Sequence, residues 1–214
     1  MAEEIVFYTN PLSRGRIVRW MLEEVGQPYR TEIVDYATTL KGPAYLAINP
    51  MGKIPALTHG RQVVTECSAI CAYLADAFPE AGLAPPPHDR ERAPYYRWLF
   101  FAAGPVEAAT SNKAAGFEVP PERSRMMGYG TYATTIDTLE KAVSSGYLAG
   151  GRFSAADLYV GSHLNYGMRF GTIEKRPAFE SYVGLLLTRP AFVRASQIDD
   201  ELAAQMQGGT PPRQ

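Results

Sequence analysis

The chain has 214 residues, 46% of them hydrophobic and 20% charged, with a formal net charge of −1. That composition suits an ordinary folded protein of one large or two modest domains, and the lack of basic excess argues against nucleic-acid or acidic-membrane binding. No apolar run approaches the ~20 residues of a membrane span, the acidic start Met1-Ala2-Glu3-Glu4 is wrong for a signal peptide, and two cysteines make no secreted disulfide framework, so a cytoplasmic, reducing compartment is expected.

Ile5-Val6-Phe7-Tyr8 reads as a short buried strand. After Asn10-Pro11-Leu12 comes Ser13, then a helical pattern with Ile17, Met21 and Val25 on one stripe and Val18 and Leu22 beside it. Gly26 and Pro28 end that helix. Residues 31–34 alternate as a second strand, and 41–48 form a short helix ending at the Asn49-Pro50 breaker. Residues 54–58 and 63–65 make a hairpin around His59-Gly60, and 69–78 a helix. The order β-α-β-α-β-β-α is a compact α/β module.

The stretch from Pro79 onward then breaks the pattern, and Pro85-Pro86-Pro87 favours an extended connector. This gives a first domain over 1–79, a linker over 80–89, an all-helical domain over 90–206 and a flexible tail over 207–214. Helices are predicted near 90–116, 122–145, 155–170, 177–187 and 190–205. Ser154 caps the third of these, with Asp157 at N3 as an acidic capping-box partner and Phe153 and Leu158 spaced as a hydrophobic staple. The role read there is structural.

Pro55 stands inside an apolar, strand-like run, where proline survives only at edges, bulges or strand starts. A cis bond that turns the preceding residue's backbone toward a ligand is one reason to put it there. Glu66 at a helix start lies just downstream, so backbone, carboxylate and helix N-terminus converge on one small zwitterionic molecule. Cys67 and Cys71 are four apart on that helix, where Cβ atoms lie ~5–6 Å apart and a disulfide wants ~3.5–4.5 Å. They read as two reduced thiols. No metal-ligand cluster is expected.

Asn49-Pro50-Met51-Gly52-Lys53-Ile54-Pro55-Ala56-Leu57 resembles the cis-proline segment of the cytosolic glutathione transferases. Glu66-Cys67-Ser68-Ala69-Ile70 with Tyr73-Leu74 is similar to that family's glutamate-serine helix start, and Ser154 to Asp157 to its capping motif. Three ordered motifs carry the resemblance over essentially the whole chain. It implies an α/β plus all-α protein, with a thioredoxin-like N-terminal domain followed by a C-terminal helical bundle. It implies glutathione as co-substrate without further cofactor, a small hydrophobic electrophile as second substrate, and a homodimer.

By position, the resemblance implies that the backbone of Ile54, held by a cis Pro55, pairs with the cysteinyl residue of glutathione. Glu66 accepts from the γ-glutamyl ammonium, and the helix start at Cys67 and Ser68 binds the γ-glutamyl carboxylate through backbone N–H groups. Lys53 and Lys41 meet the glycyl carboxylate, although each also reads as a solvated surface charge. The family commonly has serine where this chain has Cys67. Cysteine is a weak donor, so weaker glutathione binding is expected, and oxidised glutathione is a candidate to form a mixed disulfide there.

Counted back from Gly26, Ser13 falls where serine-type, theta- and delta-like members place their serine, which points to a bacterial-style member of that type. Tyr8 lies farther upstream than the tyrosine types place theirs. Tyr8, a backbone or Asn10 arrangement, and a plain helix cap at Ser13 are the alternatives. Arg14 and Arg16 add positive charge, though two arginines on a first turn read first as solvated. The electrophile is expected between the domains, near Leu12, Phe101, Pro105, Tyr166 and Phe170. The leading function is conjugation of glutathione to electrophiles through a serine-stabilised thiolate. Disulfide or peroxide reduction on the same fold, and a non-catalytic interaction module, are the alternatives.

Overall fold

The computed structural model describes residues 3–208, so the expected tail lies outside the described residues from 209 on. The described residues divide into two compact units. One runs up to Ala81 and takes in the chain from Arg189; the other is Gly82–Thr188.

The first unit is built on four strands, β1 (Ile5–Thr9), β2 (Arg30–Ile33), β3 (Ala56–His59) and β4 (Gln62–Thr65), in the order β2-β1-β3-β4. β1 runs parallel to β2 and antiparallel to β3, and β4 closes the hairpin with β3. Three helices accompany the sheet: α1 (Gly15–Val25), α2 (Pro43–Leu46) and α3 (Cys67–Ala77). Phe7, Val18, Met21, Leu22, Leu57, Ile70 and Leu74 are fully buried and make its core. Side chains alternate along a strand, and Tyr8 joins a separate cluster with Val34, Leu40, Tyr45 and Ala56.

Several boundaries differ from the sequence expectation for local reasons. β3 begins at Ala56, not at Ile54, because Pro55 has no N–H to give the ladder. The hairpin turns at Gly60, whose φ of 57° is the left-handed conformation such turns require. α1 starts only at Gly15 and ends as predicted on Gly26, at φ 72°, whose N–H bonds Leu22 O at 2.9 Å. The helix expected over 41–48 shrinks to a single turn with Pro43 in its first turn.

The last helix, α9 (Pro190–Gly208), follows the linker in sequence but packs on α1. Trp20 and Phe192 meet edge-to-face at 5.0 Å. Arg19 Nε and Asp199 Oδ1 pair at 3.2 Å, each only 1% exposed. Arg189 takes Glu24 in a fork of 2.6 and 2.7 Å. Arg19 also donates to Tyr29 Oη and Thr31 Oγ1 and lies over the Phe7 ring.

In the second unit, α4 (Arg92–Phe101) and α5 (Glu107–Ala114) are joined by a wide π turn over Ala102–Val106. Pro105 sits in that turn and has no N–H for an α-type bond, so the single helix expected over 90–116 widens there. The helix expected over 122–145 is also divided. A 3-10 turn at Pro121–Met126 is followed by Gly130 at φ 66°, and α6 (Tyr132–Val143) starts afresh on the Thr131 side-chain cap. α7 (Ala155–Phe170) and α8 (Pro177–Leu187) complete the unit. The predicted capping box at Ser154 and Asp157 is present. The Asp157 carboxylate is fully buried and accepts from Leu148 N, Ser154 N, Ser154 Oγ and Tyr182 Oη at 2.7–2.9 Å. Burial pushes its carboxyl up, and the four donors oppose that shift without overcoming it. Among the described residues no helix is long and apolar enough to cross a membrane.

Candidate functional site

Strand register brings the candidate residues toward one end of the four-stranded sheet. Tyr8 of β1, Ala56 of β3 and Thr65 of β4 lie side by side across it. Beyond this end lie the loop after Thr9 that carries Ser13, the Ile54–Pro55 peptide immediately before Ala56, and Glu66 immediately after Thr65. The Ile54–Pro55 bond is cis. Tyr45 Oη donates to Lys53 O at 2.6 Å, and Asn49 Nδ2 to the same oxygen at 2.8 Å. Burial pushes the Tyr45 phenol up to about 12, so it stays a donor at neutral pH. The approach to Pro55 is thus clamped, while no hydrogen bond among the described residues uses the backbone N–H or C=O of Ile54.

Glu66 precedes α3 at φ 66° and ψ 122°, the one non-glycine residue with positive φ among the described residues. Such a conformation costs a non-glycine residue about 1–3 kcal/mol and is held only where the surroundings impose it. Its carbonyl accepts from Ile70 N at 2.9 Å, so the helix begins at once. Its side chain does not fold back to cap the first turn. The result is an exposed carboxylate beside the positive end of α3, where the first N–H groups have no intrahelical partner. Cys67, the first residue of that helix, is partly buried and its thiol donates to Arg14 O at 3.7 Å, which ties α3 to the start of α1. Cys67 and Cys71 are both reduced, and burial pushes the Cys71 thiol well up.

The Ser13 loop rests on Asn10. Asn10 Nδ2 donates to Val34 O, its Oδ1 accepts from Leu12 N, and its carbonyl accepts from Ser13 N and from Ser13 Oγ at 2.6 Å. Ser13 Oγ also accepts from Gly15 N at 2.9 Å. The hydroxyl therefore caps α1 and has a neutral partner for its proton. Beneath it, Thr9 Oγ1 is buried without a hydrogen-bond partner, and a Cβ at Gly15 would lie 1.9 Å from that oxygen. Leu12 stands 61% exposed at the loop tip. Tyr8 turns its ring to Tyr45, 6.0 Å between centroids.

Of the other residues singled out in the sequence, Lys53 is exposed next to Ile54. Lys41 is exposed too, yet its ammonium donates to Met51 O and Gly52 O at 3.1 and 2.9 Å and braces the loop leading to Pro55. Tyr166 and Phe170 stack on one face of α7, 6.3 Å apart. Sequence reasoning missed Tyr45 and Asn49 as supports of Lys53 O, and Arg16, whose Nε donates to Pro11 O at 2.6 Å, as a support of the Ser13 loop. Asn49-Pro50 was legible as a breaker and as the start of the cis-proline segment but not as a clamp, and nothing in a four-residue helix marks its tyrosine. Among the described residues no group of three or more His, Cys, Asp or Glu side chains is assembled as a metal site.

A family model described as the glutathione S-transferase N-terminal domain matches residues 14–77. A glutathione S-transferase of Xanthomonas campestris is 36% identical over 98 residues, 44% of this chain and 46% of that relative, so the match spans less than half of its length. The crystal structure of a glutathione transferase from Methylococcus capsulatus is 30% identical and superposes with a TM-score of 0.74 over 92% of this chain and 98% of that one. A sphingomonad glutathione S-transferase complexed with glutathione is 27% identical, with a TM-score of 0.73 over 91% of this chain and 98% of that one.

Proposed function

The chain belongs to the glutathione transferase family, and on that premise we propose that it conjugates reduced glutathione to small hydrophobic electrophiles, with the Ser13 hydroxyl donating to the thiolate. The observation that carries the reading is the convergence at one sheet end of three unlike groups. These are the open Ile54 backbone before cis-Pro55, the Glu66 carboxylate at the start of α3, and the Ser13 hydroxyl. They match the amide, the ammonium with its neighbouring carboxylate, and the thiol of one γ-glutamyl-cysteinyl peptide.

In this reading the cysteinyl backbone pairs with Ile54, and Glu66 accepts from the γ-glutamyl ammonium. The N–H groups of Cys67 and Ser68 bind the γ-glutamyl carboxylate. Lys53 faces the glycyl carboxylate, and Lys41, already engaged by two carbonyls, contributes through its charge and its remaining donor. A free thiol near pKa ~8.5 is only a few per cent ionised at neutral pH. Lowering it by about two units takes roughly 2.7 kcal/mol of preference for the thiolate. A charge-assisted hydrogen bond contributes about 1.5–3 kcal/mol, but Ser13 must first release Asn10 O, so a helix N-terminus has to supply part of the rest. Full ionisation raises thiolate only some tens-fold, and acceleration beyond that comes from holding the electrophile beside the sulfur.

A serine-type assignment, a homodimer and a cytoplasmic location go with this reading. Light scattering on the eluting peak tests the dimer. Glutathione-dependent disulfide or peroxide reduction is the second reading, and the partly buried Cys67 at the α3 start is the observation that favours it. The decisive experiment uses the purified chain with millimolar reduced glutathione, which must raise the melting temperature. Turnover of a halonitroaromatic is then compared with that of hydroxyethyl disulfide. Conjugation is expected to dominate; a dominant disulfide signal transfers the assignment to the second reading. No thermal shift and no turnover of either substrate leaves only a binding module.

A further inference from the structure

The loop that carries Ser13 is held at both ends. Asn10 accepts from Leu12 N, Ser13 N and Ser13 Oγ on the strand side, and on the helix side Gly15 N donates to Ser13 Oγ and Arg16 N to Ser13 O. A further anchor comes from Arg16, the second residue of α1, whose Nε donates back to Pro11 O at 2.6 Å. The same guanidinium reaches out through Nη2 to Asp200 Oδ1 of α9 at 2.7 Å. Arg16 is 23% exposed and Asp200 68%. An ion pair so open to water contributes little to stability. What its planar fork does is set direction, because two donors fixed in one plane cannot be aimed independently.

We propose that Arg16, aimed by Asp200 of the C-terminal helix, is a positioning residue that keeps the Pro11-Leu12-Ser13 turn in shape while the Ser13 hydroxyl serves the glutathione sulfur. The inference rests on the Ser13 reading above. Its reason lies in the loop's own bonds. At rest the Ser13 hydroxyl closes the turn onto Asn10 O. When that proton swings to a thiolate, the turn loses one of its internal bonds and keeps the backbone ones at Leu12 and Ser13, and the Arg16–Pro11 bond is the side-chain brace that holds the Pro11 end against drift. Displacements of about 1 Å in such positions cost up to about 10²-fold in rate. Asp200 is delivered to Arg16 by the contacts that fix the rotation of α9 on α1: the adjacent Asp199 on Arg19, Glu24 under Arg189 and Glu23 under Arg194. The charged and titratable groups on the elements around the loop are Arg14, which precedes α1, then Arg16, Arg19, Glu23 and Glu24 on α1, Cys67, Cys71, Tyr73 and Asp76 on α3, Tyr8 on β1, and Arg194, Asp199, Asp200 and Glu201 on α9.

The test compares the full-length protein with Asp200→Asn, Asp200→Glu, Arg16→Lys, Ser13→Ala and the double variant Ser13→Ala/Asp200→Asn. The readouts are the melting temperature, kcat, the KM for glutathione and the ultraviolet thiolate titration of bound glutathione. In Asp200→Asn and Arg16→Lys, kcat is expected to fall about three- to tenfold and the thiol midpoint to rise by about 0.5–1. Melting is expected to stay unchanged, and the KM for glutathione to stay within about twofold, since neither residue is assigned to the peptide ligand. Asp200→Glu restores most of the loss, and Asp200→Asn adds nothing in the Ser13→Ala background. If Ser13→Ala moves the midpoint while Asp200→Asn and Arg16→Lys behave as wild type, the positioning role is wrong and the Ser13 reading survives. If Ser13→Ala itself leaves the midpoint in place, the Ser13 reading falls and this role falls with it. Wild-type behaviour of Arg16→Lys alone refutes the fork and leaves only charge.

Discussion

Replacing Ser13 by alanine removes two hydrogen bonds that do different work, and their magnitudes separate catalysis from folding. The hydroxyl accepts from Gly15 N at 2.9 Å, a bond equivalent to a helix cap, whose loss costs about 0.5–2 kcal/mol. For a chain of this size about 1 kcal/mol corresponds to about 2–4 °C of melting temperature, so a modest drop is expected. The hydroxyl proton rests on Asn10 O at 2.6 Å, a neutral bond of about 0.5–1.5 kcal/mol. Turning it to a thiolate exchanges that for a charge-assisted bond of about 1.5–3 kcal/mol. The difference, about 1–1.5 kcal/mol, is a five- to about tenfold change in the ionisation equilibrium. Ser13→Ala should therefore raise the thiol midpoint of bound glutathione by about one pH unit and lower kcat/KM at neutral pH by about five- to tenfold, with little effect on the KM for glutathione. The assay is a thiolate absorbance titration beside a pH profile of conjugation. An unmoved midpoint refutes the reasoning. A loss of several hundredfold refutes it equally, because a hydroxyl that must first release Asn10 has no such energy to give.

Glu66→Gly should melt at or slightly above the wild type, because glycine accepts φ 66° without the cost that glutamate bears there. The same change should weaken glutathione by about tenfold or more through loss of a charged acceptor; lower stability with an unchanged KM would mean that the strained backbone serves the fold alone. Gly15→Ala places a methyl 1.9 Å from the buried Thr9 Oγ1, and β-branched Thr9 has little rotamer freedom to yield. A loss of about 1–3 kcal/mol in denaturant unfolding is expected, relieved in part by adding Thr9→Ala, and a fully stable single variant would contradict the packing. Tyr29, which donates to Glu23 Oε1 at 2.6 Å, is pushed up to about 12 by burial and that carboxylate. A phenol whose folded value is raised stabilises the fold fully below its unfolded value near 10 and loses that contribution as pH rises through the folded one. Stability should thus decline between about pH 10 and 12, more gently in Tyr29→Phe, as followed by melting; identical slopes would refute the assignment.

Local chemistry wrote much of this fold into the sequence. Gly26 ended α1, Pro55 marked a special peptide, and Ser154 with Asp157 started α7, because each acts through its own backbone or a partner three residues away. The same locality made Pro55 and Glu66 visible as candidates before any geometry was known, while Ser13 and Cys67 became candidates through the resemblance to the glutathione transferases. Boundaries were less legible where a non-local bond decided them, as at Ala56, where strand pairing begins opposite Tyr8 and Thr65.

Tertiary structure alone decided what supports those candidates. Lys41, read as a ligand for a carboxylate, is drawn to Met51 O and Gly52 O because the loop folds its carbonyls over that ammonium. Tyr45 and Asn49 became the clamp on Lys53 O only once α2 was folded beside the cis peptide. The helix over 190–208, grouped by sequence order with the helices after the linker, belongs by packing to α1, where Asp199 finds Arg19 across 180 residues of chain. Periodicity tells a helix which of its faces is apolar, but it carries no information about which distant helix holds the matching charge. The parts of the site were therefore determined locally by residue type, and their arrangement by contacts between segments far apart in sequence.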